Sequence, residues 1–430
     1  MPGRLKRVLT FREVVIFGIG IIIGAGIYSI IGKAAAAAGS GVWVSVLIAG
    51  IITGFTALSF AEMTGMYPKT SSYFRLFKDT SKKIGRAWGF IVEWFLVLAA
   101  IFSIATIALA FGGYLSSFFN ISILVAAISI IIFAGIITFL GIKESVITTV
   151  LFTFVEVTGL IIVIILGLLF AKPNVRILFG FDLNYNIFYA ASLIFFAFTG
   201  FELIPPQSEE TIAPKKLIPK AIIGSILIST VIYMLVAIAT VSMFDVELLG
   251  ASTAPLVDAV ISNFGSNAAL LVWFSAIIAT SSTILGIIIA SSRLMYGLGK
   301  EKLFPSFFSK VTKRFKTPFV AIAMICSVGI IGIVLIQDLT TTAEIANLLT
   351  LLTFYSVNIS IVALRWLRPN IRREFKVPLT IKNTPVPSLI GAILCVLIIL
   401  QFPMNILING LFITLIGIAF YLLTREKYII

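Results

Sequence analysis

The chain has 430 residues, 60% of them hydrophobic and 12% charged, with a mean hydropathy of +1.13. This composition excludes an ordinary soluble domain. The absence of histidine and the placing of both cysteines, Cys326 and Cys395, inside apolar runs argue against a zinc site or a disulfide framework.

The first apolar run, residues 13–31, contains Gly18-Ile-Gly-Ile-Ile-Ile-Gly-Ala-Gly-Ile-Tyr28. It is as long as a full span and no small-residue cleavage site comes after it, so it is expected to stay in the protein. Each interior glycine weakens a helix by about 1 kcal/mol relative to alanine, so Gly24 and Gly26 predict a local loss of helix. Broken backbone at membrane depth is tolerated only inside protein or along a cavity, which suits a site for a small zwitterion. The same glycines also suit close helix packing.

Eleven further runs succeed it, at 42–66, 87–113, 121–140, 147–170, 187–204, 218–243, 267–298, 318–337, 343–364, 387–403 and 405–424. Most can cross a hydrocarbon core of about 30 Å. The run ending at Pro403 is short, which predicts a tight hairpin with the last. With the N-terminus placed in the cytoplasm, all 32 Lys and Arg fall inside except Lys33, Lys172 and Arg176. The formal charge of +14 is therefore a topology signal, with anionic lipid as its partner and not nucleic acid. No loop is long enough for a soluble catalytic domain. The expectation is an all-α, multi-pass protein of the cell membrane with about 12 spans, both termini cytoplasmic, and no cofactor, metal or enzymatic activity.

The sixth run resembles the first in being interrupted. Phe195-Phe-Ala-Phe-Thr-Gly-Phe-Glu202 places Thr199-Gly200 and a carboxylate in mid-membrane, followed by Pro205-Pro206. Proline suits a first helical turn, so a break near Thr199–Glu202 and a short second half-helix are predicted. Two interrupted spans, each followed by four ordinary ones, point to an inverted repeat with the site between the halves. The halves are 13–170 and 187–364, and 387–424 adds two helices.

These motifs resemble the amino acid–polyamine–organocation superfamily of transporters. Gly20-Ile-Ile-Ile-Gly-Ala-Gly-Ile-Tyr28 is similar to its glycine-rich substrate loop, and Phe196-Ala-Phe-Thr-Gly-Phe-Glu202 to its broken sixth helix. Ser208 to Lys220 resembles its sixth-to-seventh loop. Ser292-Arg-Leu-Met-Tyr296 through Leu303-Phe-Pro305 resembles its eighth-helix exit. The resemblance implies a five-plus-five inverted repeat with broken helices 1 and 6, and secondary amino-acid transport by alternating access. Two positions depart from it. Ala25 stands where many members have serine, and Glu156 lies near the place of a fifth-helix lysine in proton-coupled members.

A zwitterion needs donors for its carboxylate and acceptors for its ammonium. The backbone N–H groups of Gly24, Ala25 and Gly26 are assigned to the first, and the carbonyls of Ile22, Phe196 and Thr199, beside Gly200, to the second. Phe196 is read as a gate or as packing. Intramembrane acids are functional by default, so Glu202 and Glu156 are candidates for proton coupling. A helix cap is the alternative for Glu202, and a buried pair or protonated structural acid for Glu156. Glu62 and Glu93, near span ends, are read as solvated or paired. In Thr280-Ser-Ser-Thr283, Ser281 and Ser282 are a candidate sodium site, although such hydroxyls commonly bond their own helix.

A polyamine or organic-cation carrier on the same fold is the competing function. A channel would want a polar pore lining, and an ATP-driven pump a phosphate-binding loop; neither is visible.

Overall fold

The structure is a computed structural model. It describes residues 10–68, 72–81, 84–140, 146–169, 185–205, 208, 211–300, 303–312, 315, 317 to 318 and 319–428. The side chains of 72, 146–151 and 424–428 lie outside that description, as do Lys143, Lys172, Arg176, Pro206, Glu209 and Glu210.

The first span is two helices, α1 (Phe11–Ile23) and α2 (Ala25–Ala38). Thr10 and Glu13 start α1 as a capping box, with the Thr10 N–H donating to Glu13 Oε2 at 2.7 Å. Next come α3 (Val42–Met66), a short amphipathic α4 (Ser72–Thr80), α5 (Gly85–Ser116), α6 (Ile123–Leu140) and α7 (Val146–Leu169). The sixth span is α8 (Tyr185–Phe198), and α9 (Pro214–Met243) opens on a proline whose missing N–H costs nothing there. A short α10 (Val246–Ala251) leads to α11 (Pro255–Lys300). Gly265, at φ 76°, kinks α11 near its start; a side chain would be strained in that conformation. The chain ends with α12 (Phe319–Ile336), α13 (Leu339–Leu367), α14 (Val386–Ile399) and α15 (Met404–Tyr428).

Among the described residues, 10 helical runs are long and apolar enough to cross a membrane. The first of these, Phe11–Met66, holds both the broken span and α3, and Val386–Ile399 is a shorter apolar helix. The twelve expected runs therefore all fall on helices. The protein is an all-α integral membrane protein whose outer helices expose apolar side chains. Ile132, Phe133, Ile331, Leu335, Leu411 and Phe412 are all exposed.

At the centre, α1 packs on α7 and α9, and α2 packs on α8 and α10. Around them, α3 packs on α8 and α9, and α5 packs on α6, α11 and α13. The two interrupted spans are thus inside the bundle and not at its lipid face.

Three features were not foreseen. The helix α4 precedes the third span, and a two-stranded hairpin, β1 (Thr380–Ile381) and β2 (Thr384–Pro385), sits in the loop between α13 and α14. The third is the identity of the partners of Glu62, which is fully buried and takes the paired alternative of the two expected for it. Arg365 clamps it with two bonds of 2.6 and 2.7 Å. The Arg373 Nε–H adds one at 3.0 Å and the Val377 N–H one at 2.8 Å. This cluster ties the end of α3 to the end of α13 and its loop. Glu93 is buried as well. Cys395 is buried and Cys326 half-buried, both as free thiols, in keeping with packing roles.

Candidate functional site

The first break is a single residue. The Gly24 N–H closes α1 by donating to the Gly20 carbonyl at 2.9 Å, and Gly24 itself, at φ −21° and ψ −131°, is not helical. The chain re-enters helix at once, so Gly26, expected in a glycine-rich loop, lies inside α2. Its role there is close packing: a Cβ on Gly26 would stand 2.5 Å from Ala197 Cα. The Ala25 N–H donates to Thr283 Oγ1 at 3.0 Å, and a Cβ on Gly24 would collide with that same hydroxyl. Of the three N–H groups assigned to a substrate carboxylate, those of Gly24 and Ala25 have protein partners in this conformation.

The second break comes after Phe198. The Thr199 N–H and hydroxyl both donate to the Phe196 carbonyl, at 3.1 and 2.7 Å. Gly200 takes φ 114°, which only glycine adopts without strain. The Gly200 N–H then donates to Glu202 Oε2 at 2.8 Å. The chain continues as a 3-10 turn over Phe201–Leu203; no α-helical second half is found among the described residues before α9. Glu202 therefore caps the turn, and its carbonyl accepts from the Tyr73 hydroxyl at 2.6 Å. Phe196 is buried, with 2% of its surface exposed.

The two breaks meet. A Cβ on Gly200 would press on the Ile21 side chain and lie 3.1 Å from the Ile21 carbonyl. The hydroxyl of Tyr233, from α9, is shared between the carbonyls of Ile22 and Ala197. One side chain thus reaches the carbonyl ends of both half-helices. Such carbonyls have lost their helical N–H partners and are natural acceptors for a cation or an ammonium.

Glu156, on α7, is 1% exposed. Its Oε1 accepts from Ser282 Oγ at 2.5 Å, while Oε2 is buried without a hydrogen-bond partner. Its backbone carbonyl accepts from the Tyr28 hydroxyl at 2.8 Å, which joins α7 to α2 at this position. The two serines of the candidate cation site diverge. Ser282 faces Glu156, whereas Ser281 bonds back to the Ile277 carbonyl of its own helix at 2.7 Å. No group of three or more His, Cys, Asp or Glu side chains that could hold a metal is found among the described residues.

Tyr233 and Thr283 were missed as site residues. Thr283 was legible as the last hydroxyl of its run, and Tyr233 as a lone phenol in a long apolar helix. Neither position carries any sign of which backbone it will meet.

An all-helical membrane bundle with two interrupted spans in contact at its centre is the architecture of a multi-pass transporter. The chain belongs to the amino acid permease family, whose model matches residues 9–422. It is 28% identical to the branched-chain amino acid permease BcaP of Bacillus subtilis, over 99% of this chain and 94% of the relative. The methylthioribose transporter of the same organism is 27% identical, again over 99% and 94%. A vacuolar cationic amino acid transporter of Arabidopsis thaliana is 28% identical over 85% of this chain and 61% of its own length.

Proposed function

We propose that this permease moves an amino acid across the cell membrane by alternating access, with both termini in the cytoplasm and a proton as the coupling ion. Residues 13–170 and 187–364 act as inverted halves that rock about the two breaks, and 387–424 supplies two flanking helices. The observation that carries this reading is Tyr233, whose hydroxyl is shared by the carbonyls of Ile22 and Ala197.

In the substrate-bound state the ammonium takes the carbonyls at these breaks, with Thr199 and Gly200 on its other side. The carboxylate competes with Thr283 for the Ala25 N–H, beside Gly24 and Gly26. Phe196 covers the occupied site. A substrate that displaces internal hydrogen bonds replaces them with its own, so the backbone groups are satisfied in both states.

Proton exchange is assigned to Glu156 ahead of Glu202. Glu156 has a buried oxygen with no partner, whereas Glu202 is engaged with Gly200. A carboxylate without an ion pair at this depth is most easily carried as the neutral acid. Sodium, held by Ser282 with Glu156, is the alternative ion and predicts uptake that tracks a sodium gradient.

The test is uptake of labelled amino acids into proteoliposomes under a pH gradient, a sodium gradient and neither. Accumulation driven by the pH gradient alone supports the proposal. Accumulation by sodium alone overturns the proton assignment, and no accumulation or exchange of any amino acid overturns the function.

A further inference from the structure

The loop between α13 and α14, with its hairpin β1–β2, is seated firmly on the bundle. A Cβ on Gly65, at the end of α3, would stand 3.1 Å from the Phe375 nitrogen. The Val377 N–H donates to Glu62, and the Asn383 side-chain amide donates to the Arg365 carbonyl at 3.3 Å. The Trp366 indole N–H donates to Thr384 Oγ1 at 3.1 Å. The Val386 N–H, at the start of α14, donates to the Leu379 carbonyl at 3.1 Å.

This fixed loop exposes large apolar side chains. Trp366 and Leu367 at the end of α13, and Leu379 and Ile381 in and beside the hairpin, are each more than half exposed. Leu379 is the most exposed of them, and it sits at φ 52°, where a bulky residue is rarely found. Leu389, Ile393 and Leu397, four residues apart on α14, are exposed as well, and that row begins one turn beyond Val386. The loop's apolar surface thus stands at the end of the apolar face that α14 turns outward.

Cations surround it. Of those between 365 and 386, Arg365 and Arg373 are engaged by Glu62, and Arg372 pairs with Glu374 at 3.0 Å. Arg368, Lys376 and Lys382 are exposed and have no ion-pair partner among the described residues. Lys382 stands at the hairpin tip with Asn383, both at positive φ, 44° and 70°, as in the two-residue turns that join tight hairpins.

We infer that this loop is a docking surface for an anionic lipid leaflet. Trp366, Leu367, Leu379 and Ile381 enter the boundary between headgroups and acyl chains, and Arg368, Lys376 and Lys382 take the lipid phosphates. Apolar side chains ringed by free cations, next to a helix with an exposed apolar face, have the chemistry of an interfacial membrane contact. Tryptophan, with its apolar ring, suits the same boundary.

The experiment uses the full chain with Cys326→Ser, Cys395→Ala and Ile381→Cys, the last labelled with a small environment-sensitive fluorophore. The protein is placed in vesicles of phosphatidylcholine, or of equal parts phosphatidylcholine and phosphatidylglycerol. Both leaflets are alike, so the direction of insertion does not matter. Quenching by acrylamide, present on both sides, is compared with quenching by a lipid that carries a nitroxide near its headgroup. With phosphatidylglycerol, nitroxide quenching is expected to rise about twofold and acrylamide quenching to fall by about half. Arg368→Gln, Lys376→Gln and Lys382→Gln, introduced together, are expected to abolish the difference between the two vesicles. A difference that persists in this variant overturns the inference. Equal quenching of the parent reporter in both vesicles overturns it too, and that result needs no charge variant to fold. Shielding from both quenchers would place a second copy or another protein on the loop, and overturns it as well. None of these outcomes depends on which solute the protein carries.

Discussion

Glu62 and Glu156 are both carboxylates buried in the helical bundle, and their surroundings are opposite. Glu62 is clamped by two arginines and a backbone N–H, with both oxygens used. Glu156 has one hydroxyl and an oxygen with nothing to bind. A buried charge that is fully paired fixes two elements together, and removing one partner leaves the other uncompensated. A buried acid left half-satisfied holds the structure together less and is free to exchange a proton. On the proposed function, the difference separates a strut at the end of α3 from the group assigned to proton exchange.

The comparison can be broken first at the strut. Glu62→Ala leaves Arg365 and Arg373 facing each other, and a loss of about 3–5 kcal/mol is expected. Denaturant or thermal unfolding of the purified protein reads it, and wild-type stability would show that the arginines find water instead. Gly26→Leu comes next. It overfills the contact of α2 with Ala197, for which about 1–3 kcal/mol is typical. Lost binding in that variant must therefore be read beside its melting curve. Tyr233→Phe removes the hydroxyl shared by the carbonyls of Ile22 and Ala197. A loss of about 1 kcal/mol in stability is expected, with a changed KM for uptake. An unchanged KM would place the substrate elsewhere. The smallest effect is expected for Glu202→Gln, whose amide oxygen still accepts the Gly200 N–H. Its uptake under a pH gradient should stay near wild type, and loss of that uptake would move proton exchange from Glu156 to Glu202.

The helices and the two interruptions were legible because their causes are local. Runs of apolar residues, glycines at Gly24 and Gly200 and prolines at Pro205 and Pro214 act on their own stretch of chain. The charge count proposes a topology for the same reason, since each lysine and arginine reports on its own loop. The part that was not legible is who meets whom. Gly26 looked like part of a loop, and only the approach of Ala197, far along the chain, makes it a packing residue. Glu62 lay near a span end and could be read as solvated or paired, because nothing in its own helix announces Arg365 or Arg373. Tyr233 is the clearest case: a phenol in a long apolar helix has no visible purpose until two distant carbonyls converge on it.

The central claim is that Glu156 carries the coupled proton, and Glu156→Gln tests it most directly. Glutamine preserves the size of the side chain and the acceptor for Ser282, and it cannot titrate. The measurement is uptake of a labelled amino acid into proteoliposomes driven by an imposed pH gradient, with exchange across equal pH as the control. The account predicts that the variant exchanges substrate at a rate near wild type and fails to accumulate it under the gradient. Accumulation equal to wild type would contradict it and return Glu156 to a structural role.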